Sequence, residues 1–209
     1  MYKLWLKNKL LQREIYRKKV FRNEFFIKEF SYHYPHPELT LNRLKLFEEI
    51  QKFQIFPNSS LSIGRKNIIL KQKKIEQGKL SAISIDDAIK MSQLFISKVQ
   101  NLWRLGFVHG DINRRNIFCS EGRLGLLDFE PYLALEKDGV KKLIATNPYI
   151  CLNDLKKQEL TQASDMIGLA CFLNWFCFDR ATSPINFYRL TLRQNPEVVI
   201  KKTFSKLKC

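Results

Sequence analysis

Alternating apolar and polar residues in the first eighty positions predict two β-hairpins. Residues 19–30 form apolar runs on either side of a polar turn at 22–24, and residues 61–63 and 67–70 flank a turn at Gly64. Between the hairpins, apolar residues recur at helical spacing over 35–53, with Pro37 near the start. Residues 1–19 are basic, and we expect an amphipathic helix or an irregular lead-in there.

Helical periodicity dominates the rest of the chain. Residues 84–105 carry a helical apolar stripe that begins with Ser84 and Asp87, a capping pair, and stops at Gly106. An apolar helix is predicted over 166–178, with Ser164 and Asp165 as its N-terminal cap. A third hairpin is expected around the turn 120–123. The pattern therefore indicates a small sheet followed by a largely helical region.

Composition indicates a globular protein with a strong positive charge. The 209 residues are 45% hydrophobic, and 36 Lys or Arg residues face 20 Asp or Glu, a formal charge of +16. Such an excess attracts polyanions, which include nucleotide phosphates, nucleic acid and anionic membrane surfaces. A surface of solvated lysines explains the same number, and both interpretations stay open.

Neither a metal-cysteine site nor a targeting segment is indicated. The five cysteines show no paired spacing, which favours free thiols in a reducing compartment. The start lacks the features of a signal peptide, and the longest apolar block, 166–178, is too short to cross a membrane. We expect a cytoplasmic protein, with peripheral contact to the inner membrane as an open alternative.

Three polar residues flank the third hairpin and suggest phosphoryl-transfer chemistry. Asp111 and Asn116 precede its first strand, and Asp128 follows its second, so all three lie at the same end. Oxygen ligands and a carboxylate base at one place could surround a metal-bound phosphate. An ordinary polar hairpin is the alternative, because turns favour Asp and Asn.

These residues resemble the catalytic core of the protein-kinase-like superfamily. The segment His109-Gly110-Asp111 with Asn116 five positions after the Asp, followed by Asp128-Phe129, matches that core in residue type and spacing. Gly110 makes the loop similar to the His-Gly-Asp loop of aminoglycoside phosphotransferases, Rio-type kinases and lipopolysaccharide core kinases. The resemblance implies a phosphotransferase that uses ATP and magnesium.

The resemblance also assigns roles to residues around this loop. Asp111 would orient the acceptor hydroxyl and take its proton, while Asn116 and Asp128 would hold magnesium. Asn113 stands where serine/threonine protein kinases usually carry a lysine, which makes it a candidate cofactor-binding residue. Asp165 would hold the backbone of the catalytic loop.

In the first part of the chain, the resemblance points to a phosphate clamp. Phe26-Ile27-Lys28 is similar to the strand whose lysine grips the ATP phosphates. Glu49 would pair with Lys28 from the helix, with Glu48 as runner-up.

The implied fold is α+β and two-lobed. Its N-lobe, residues 1–80, would hold a small antiparallel sheet, one helix and a hinge at about 72–80. Its minimal helical C-lobe, 81–209, would contain the catalytic loop 109–116 and the metal-binding strand end 126–130.

Two departures from the family pattern motivate a rival interpretation. No glycine occurs before Gly64, although the family places a glycine-rich loop before its clamp lysine. Glu130 stands where a glycine usually follows Asp128-Phe129. A pseudokinase that acts as a binding module is therefore the alternative from another class.

The acceptor is predicted from what the chain lacks and from its charge. Cys151-Leu152-Asn153 replaces the family's usual end of the peptide-docking segment, so a sugar hydroxyl of lipopolysaccharide core or another anionic glycolipid is the first choice. A serine/threonine protein kinase, or an ATPase similar to the kinase subunit of the tRNA threonylcarbamoyl-adenosine complex, is the enzyme alternative. RNA binding has charge but no motif to support it. Arg114 and Arg115 could contact the γ-phosphate, an anionic acceptor, or solvent.

Overall fold

A computed structural model of the chain describes most residues between Tyr16 and Arg180. The described ranges are 16–31, 37–64, 67–76, 78–128, 149, 151, 153–154 and 161–180, together with 186, 188–189, 198, 201 and 204–205. The chain divides into two compact units, Met1–Glu76 and Gln77–Cys209. The division falls inside the segment interpreted as the hinge.

A four-stranded antiparallel sheet forms the first unit. Its strands are β1 (Tyr16–Arg22), β2 (Phe25–Ser31), β3 (Ser59–Ile63) and β4 (Asn67–Lys73), in the order β1-β2-β4-β3. Both hairpins predicted for this region are confirmed. The expectation of a helix or irregular lead-in is wrong for residues 16–19, because pairing with β2 draws this basic stretch into the sheet; the rest of that segment lies outside the described residues.

Helix α1 (Pro37–Lys52) supplies the apolar side chains of this unit's core and packs against β3. Phe47 and Ile50 are buried; Ile50 belongs to the predicted apolar stripe, whereas Phe47 does not. Ile55 and Phe56 follow the helix and are also buried, as is Leu70 of β4. The core of the first unit therefore lies between α1 and the sheet.

The second unit is built from two helices and a short hairpin. After a 3₁₀ turn at Leu80–Ala82, helix α2 (Ile85–Arg104) begins at Ser84, whose hydroxyl accepts a hydrogen bond from the backbone N–H of Asp87 at 3.2 Å. Gly106 then leaves the helix with φ +76°, which glycine adopts without strain. The predicted helix and its capping signals are confirmed.

The hairpin joins β5 (Ile117–Ser120) to β6 (Arg123–Leu126). Its turn residues, Glu121 and Gly122, both have positive φ, 52° and 69°, as in the two-residue turns that suit the twist of paired strands. The ends remote from this turn, at Ile117 and Leu126, lead to the polar residues singled out above. This hairpin is as predicted.

Among the described elements of the second unit, helix α3 (Gln162–Cys177) contributes the most buried apolar residues, and it packs against α2. Its cap is Thr161, whose hydroxyl accepts from the N–H of Ala163 at 3.2 Å. The prediction that Ser164 and Asp165 cap it is therefore wrong. Both lie buried inside its first turn, and the Ser164 hydroxyl donates to the buried carboxylate of Asp154 at 2.6 Å.

The α+β prediction, with a small antiparallel sheet in the first unit and helices in the second, is confirmed. The order of elements agrees with the two-lobed kinase-like fold that the resemblance implied. In the part of the chain that the structure describes, no helix is long and apolar enough to span a membrane. Cys119, Cys151, Cys171 and Cys177 are free thiols. Phe129, Glu130 and the predicted peptide-docking segment up to 148 lie outside the described residues.

Candidate active site

Asp111 is held by two asparagine side chains of its own loop. Nδ2 of Asn113 donates to its Oδ1 at 2.8 Å, and Nδ2 of Asn116 donates to its Oδ2 at 2.7 Å. The same two amide groups also reach the backbone carbonyl of Asp111, at 3.2 and 3.0 Å. Each carboxylate oxygen therefore has one amide donor and keeps a further acceptor position for a hydroxyl proton.

The backbone of Leu127 connects this loop to the residue that follows it, Asp128. The N–H of Leu127 donates to the carbonyl of Asn116 at 2.7 Å, and Nε2 of His109 lies 2.8 Å from the carbonyl of Leu127. Asp128 itself has φ +60°, a left-handed conformation that Asp tolerates better than most residues. The structure thus brings Asp111, Asn116 and Asp128 together at one end of the hairpin.

The hydrogen bonds of His109 assign its tautomer. The N–H of Asp111 donates to Nδ1 of His109 at 3.3 Å, so Nδ1 is the nitrogen without a proton. Nε2 then carries the proton and donates it to the carbonyl of Leu127. His109 is 2% exposed, and its two ring nitrogens connect the backbone of Asp111 to that of Leu127.

Asp165 anchors the start of the loop from helix α3. Its Oδ2 accepts from the N–H of His109 at 2.8 Å and from Nε1 of Trp103 at 3.0 Å, while its Oδ1 accepts from the N–H of Gly110 at 2.7 Å. Gly110 has φ +75°, a conformation that would strain most other residues. The holding role that the resemblance gave to Asp165 is what these contacts describe.

Two further residues on the same face of α3 contact the loop. A Cβ on Gly168 would lie 2.2 Å from the carbonyl oxygen of Ile112, so only glycine allows the loop to approach the helix this closely. Two helical turns further on, the centre of the Trp175 ring lies 4.2 Å from the guanidinium carbon of Arg114. Asp165, Gly168 and Trp175 are three and seven residues apart, so one face of one helix follows the loop along its length.

Burial and a neighbouring like charge raise the pKa of the Asp111 carboxyl. Desolvation is the largest cause, and the charge of Asp128 adds to it, while His109 and the amide groups of Asn113 and Asn116 lower the pKa, His109 most of the three. Burial also raises the pKa of Asp165. Because its three hydrogen-bond partners above are all N–H donors, the ionised form of Asp165 is the one that fits the site.

The donor set at this end suits a hard cation. Among the described residues no three His, Cys, Asp or Glu side chains form a metal cluster. Magnesium, however, is commonly held by one or two protein ligands together with substrate phosphates. The Asn116 side chain offers Oδ1, since its nitrogen is bound to Asp111, and Asp128 offers a carboxylate. The donor atoms of these two predicted metal ligands therefore suit magnesium.

Asn113 positions Asp111. Its Nδ2 donates to the Asp111 carboxylate, and its Oδ1 accepts from the N–H of Arg115 at 2.8 Å. Its contact with a cofactor stays a prediction.

Lys28 lies in the middle of β2 with its side chain fully buried, and its Nζ is 5.6 Å from the centre of the Phe26 ring. A buried lysine is rare, and its burial marks this face of the sheet as a candidate binding surface.

Glu49 is on the exposed side of α1. Its carboxylate pairs with Nζ of Lys52, three residues away. Glu48 is also exposed. No contact in the described part of the chain supports the predicted pairing of Glu49 with Lys28, which remains a prediction.

Sequence reasoning missed Gln72, which shares a sheet face with Lys28. On β4 it pairs with Phe26, two residues from Lys28, and it is 5% exposed. Its Nε2 makes no hydrogen bond to any described residue. Within a strand of mixed polar and apolar residues, a buried amide gives no local signal. Gly168 and Trp175 were missed for a similar reason, because their partners lie about sixty residues earlier in the chain.

Comparison with known proteins adds little to this geometry. No protein-family model matches the sequence, and no curated protein does. Among solved structures, the crystal structure of Rad53 1-466 in complex with AMP-PNP is similar, with a TM-score of 0.45 and 12% sequence identity. The match covers 73% of this chain and 40% of that one. A likeness this weak decides neither the fold nor the activity of this chain.

Proposed function

We propose that the chain is a kinase-like phosphotransferase that uses ATP and magnesium. The observation that carries the proposal is the double anchoring of Asp111 by Asn113 and Asn116, in a loop whose backbone also fixes the position of Asp128. A surface turn has no need for a carboxylate with both oxygens held, beside a second carboxylate that disfavours its charge.

The residues have distinct roles in this proposal. Asp111 accepts the proton of the acceptor hydroxyl, whose oxygen forms a bond to the γ-phosphorus of ATP as the bond to the leaving ADP oxygen breaks. Asn116 and Asp128 hold magnesium, which neutralises charge on the phosphates. Lys28 contributes a positive charge for the phosphates, and Asn113 and His109 position the loop.

The acceptor we propose is a sugar hydroxyl of lipopolysaccharide core or a similar anionic glycolipid. It is supported by an exposed arginine within the loop, Arg115, and by the charge of +16. A protein hydroxyl, or water in an ATPase, is the enzyme alternative.

The test of the proposed function is thermal stability with and without magnesium-ATP. A ligand at about a hundred times its dissociation constant adds roughly 2.7 kcal/mol, which raises the melting temperature by several degrees. We expect this for the wild type and a smaller shift for Asp128→Asn. Asp111→Asn should keep the ATP-induced shift and lose phosphotransfer by about 10²- to 10⁴-fold, the range for a general base.

Two observations favour a second candidate, a binding module without catalysis. The first unit lacks glycine before Gly64, and Glu49 pairs with Lys52. If magnesium-ATP at millimolar concentration shifts neither the wild type nor Asp128→Asn, the phosphotransferase proposal is wrong and this candidate takes its place.

A further inference from the structure

The structure separates two neighbouring arginines that the sequence could not distinguish. Arg114 places its guanidinium over the ring of Trp175, which is 4% exposed. Stacking on a buried ring fixes the guanidinium and leaves fewer of its faces for a ligand. Arg114 therefore holds the loop against helix α3.

Arg115 has a different environment. Its backbone N–H donates to Oδ1 of Asn113, whose nitrogen holds Oδ1 of Asp111, so two hydrogen bonds connect the Arg115 backbone to the proposed base. The Arg115 side chain is exposed. Its guanidinium makes no hydrogen bond or ion pair with any residue in the described part of the chain. The carboxylate of Asp111, in the same loop, accepts from the amide groups of Asn113 and Asn116 instead.

The charge of Arg115 acts on the hydroxyl of Tyr149. Burial raises the pKa of the Tyr149 hydroxyl, and the positive charge of Arg115 acts against that rise. Tyr149 is itself held by Tyr188, with their ring centres 5.6 Å apart in an edge-to-face arrangement. The charge of Arg115 therefore acts on an aromatic side chain that packs against a second ring.

The chemistry of a guanidinium indicates the kind of group it would bind. Its planar donors match the oxygens of a phosphate or a carboxylate in pairs, and such charge-assisted bonds are stronger than neutral ones. A neutral sugar hydroxyl would leave this charge without a counter-ion. Asn113 fixes the backbone of Arg115, so an anion bound there would lie near the hydroxyl that Asp111 activates.

We propose that Arg115 binds an anionic group of the acceptor, a phosphate or a carboxylate, and thereby restricts the acceptor to negatively charged hydroxyl compounds. This inference rests on the proposed function and narrows it, since neutral sugars and alcohols become poor acceptors. Arg114, one residue away, contributes position and not recognition.

The experiment is a titration of the full chain, followed through the side-chain Nε–H resonances of its arginines by NMR. The probes are glucose 6-phosphate and glucose, which share hydroxyls and differ in one phosphate. We expect saturable shifts of the Arg115 resonance, with a dissociation constant at least roughly tenfold lower for the phosphorylated probe, the effect of one charge-assisted hydrogen bond.

Three variants make the result specific. Arg115→Gln should bring the two dissociation constants together, and Arg115→Lys should restore part of the preference because the charge returns without the planar donors. Arg114→Gln is the matched control, with the same charge removed one position away, and it should keep the preference. The ionic strength is held constant, because screening alone weakens anion binding.

Several other outcomes contradict the inference. Equal binding of both probes by the wild type, or a preference that survives in Arg115→Gln, rules out anion recognition by Arg115. If Arg114→Gln loses the preference for the phosphorylated probe as fully as Arg115→Gln does, the preference comes from general surface charge. The titration is repeated with magnesium-AMP-PNP present, and if Arg115→Gln weakens that nucleotide instead, the arginine serves the γ-phosphate. Failure of the nucleotide to bind would count against the proposed function and leave the probe comparison to stand by itself.

Discussion

The candidate site of the second unit and the sheet face of the first unit differ in how their buried polar groups are satisfied. In the second unit, Asp165 accepts three N–H bonds, and Asp154 accepts from Thr161 and Ser164. In the first unit, Nε2 of Gln72 is buried without a partner among the described residues, on the same sheet face as the buried Lys28. The second unit thus has its site assembled by its own residues, whereas the sheet face of the first unit carries a donor that a ligand could satisfy.

The largest expected effect is the loss of the anchor on α3. Asp165→Ala leaves the N–H groups of His109, Gly110 and Trp103 without their acceptor, each at a cost of about 1–3 kcal/mol when buried. We expect the free energy of unfolding to fall by about 3 kcal/mol or more, measured by urea denaturation. Asp86→Ala, in the exposed first turn of α2, should cost less than about 1 kcal/mol. Equal losses of stability in the two variants would show that the three hydrogen bonds to Asp165 do not cause the destabilisation of Asp165→Ala.

A methyl group at Gly168 tests how closely the loop must lie on the helix. Gly168→Ala puts a Cβ 2.2 Å from the carbonyl of Ile112, so the loop has to move, with a cost of about 1–3 kcal/mol for overpacking. Phosphotransfer should fall more than ATP binding, since Asp111 is next to Ile112. Gly78→Ala is the control, with its Cβ at 3.4 Å from the carbonyl of Cys119. An active and stable Gly168→Ala would contradict the close contact.

In the first unit, replacing Gln72 should raise the free energy of unfolding, whereas the two changes above should lower it. Gln72→Met replaces the unpartnered amide with an apolar side chain of similar length, and we expect a gain of roughly 1 kcal/mol in the free energy of unfolding without ligand, because a buried unmet donor is removed. If the amide serves a ligand, the variant should also lose part of the stabilisation that magnesium-ATP provides. A destabilised variant would mean that the Gln72 amide is already satisfied.

The groups around Asp111 can be tested through the pKa of its carboxyl group. Asp128→Asn removes a like charge and should lower the pKa of Asp111, whereas Asn113→Ala removes a hydrogen bond to the carboxylate and should raise it. Carbon NMR of the carboxyl groups measures both. Since folding raises this pKa, the native state holds more protons between the unfolded and native values, and the free energy of unfolding falls as pH rises through that interval. Shifts of opposite sign would overturn the assignment.

The smallest effect concerns Glu49. As an exposed ion pair with Lys52, it should contribute less than about 0.5 kcal/mol, so Glu49→Gln should leave both stability and ATP affinity nearly unchanged. Lys28→Met should abolish the ATP-dependent stabilisation. If Glu49→Gln weakens ATP binding as much as Lys28→Met does, Glu49 pairs with Lys28 when the nucleotide is bound, as the family resemblance suggested.

Local patterns predicted the elements better than the contacts between them. The hairpins, helices α1 and α2, and the loop around Asp111 have their signals within a few neighbouring residues. The start of α3 was misplaced because Ser164 and Asp165 form a typical cap sequence, yet the protein uses both for bonds to segments distant in the chain. A capping signature and a buried anchor look alike when only neighbours are considered.

The parts of the site that could not be predicted are contacts across long sequence separations. The approach of Ile112 to Gly168 and the stacking of Arg114 on Trp175 each join residues more than fifty positions apart. Helix α3 is almost uniformly apolar, so its sequence does not reveal which face meets the loop. The holding role of Asp165 was reached only through a family resemblance.

The bonds between Asp165 and the loop have a consequence for hydrogen exchange. The amide protons of His109 and Gly110 can exchange with solvent only when they leave a carboxylate buried in the core of the second unit. Loop amides ordinarily exchange within the fastest class, through fluctuations that cost little free energy. These two should instead exchange with the slow amides of α3, which makes the reactive loop part of the same cooperative unit as the core.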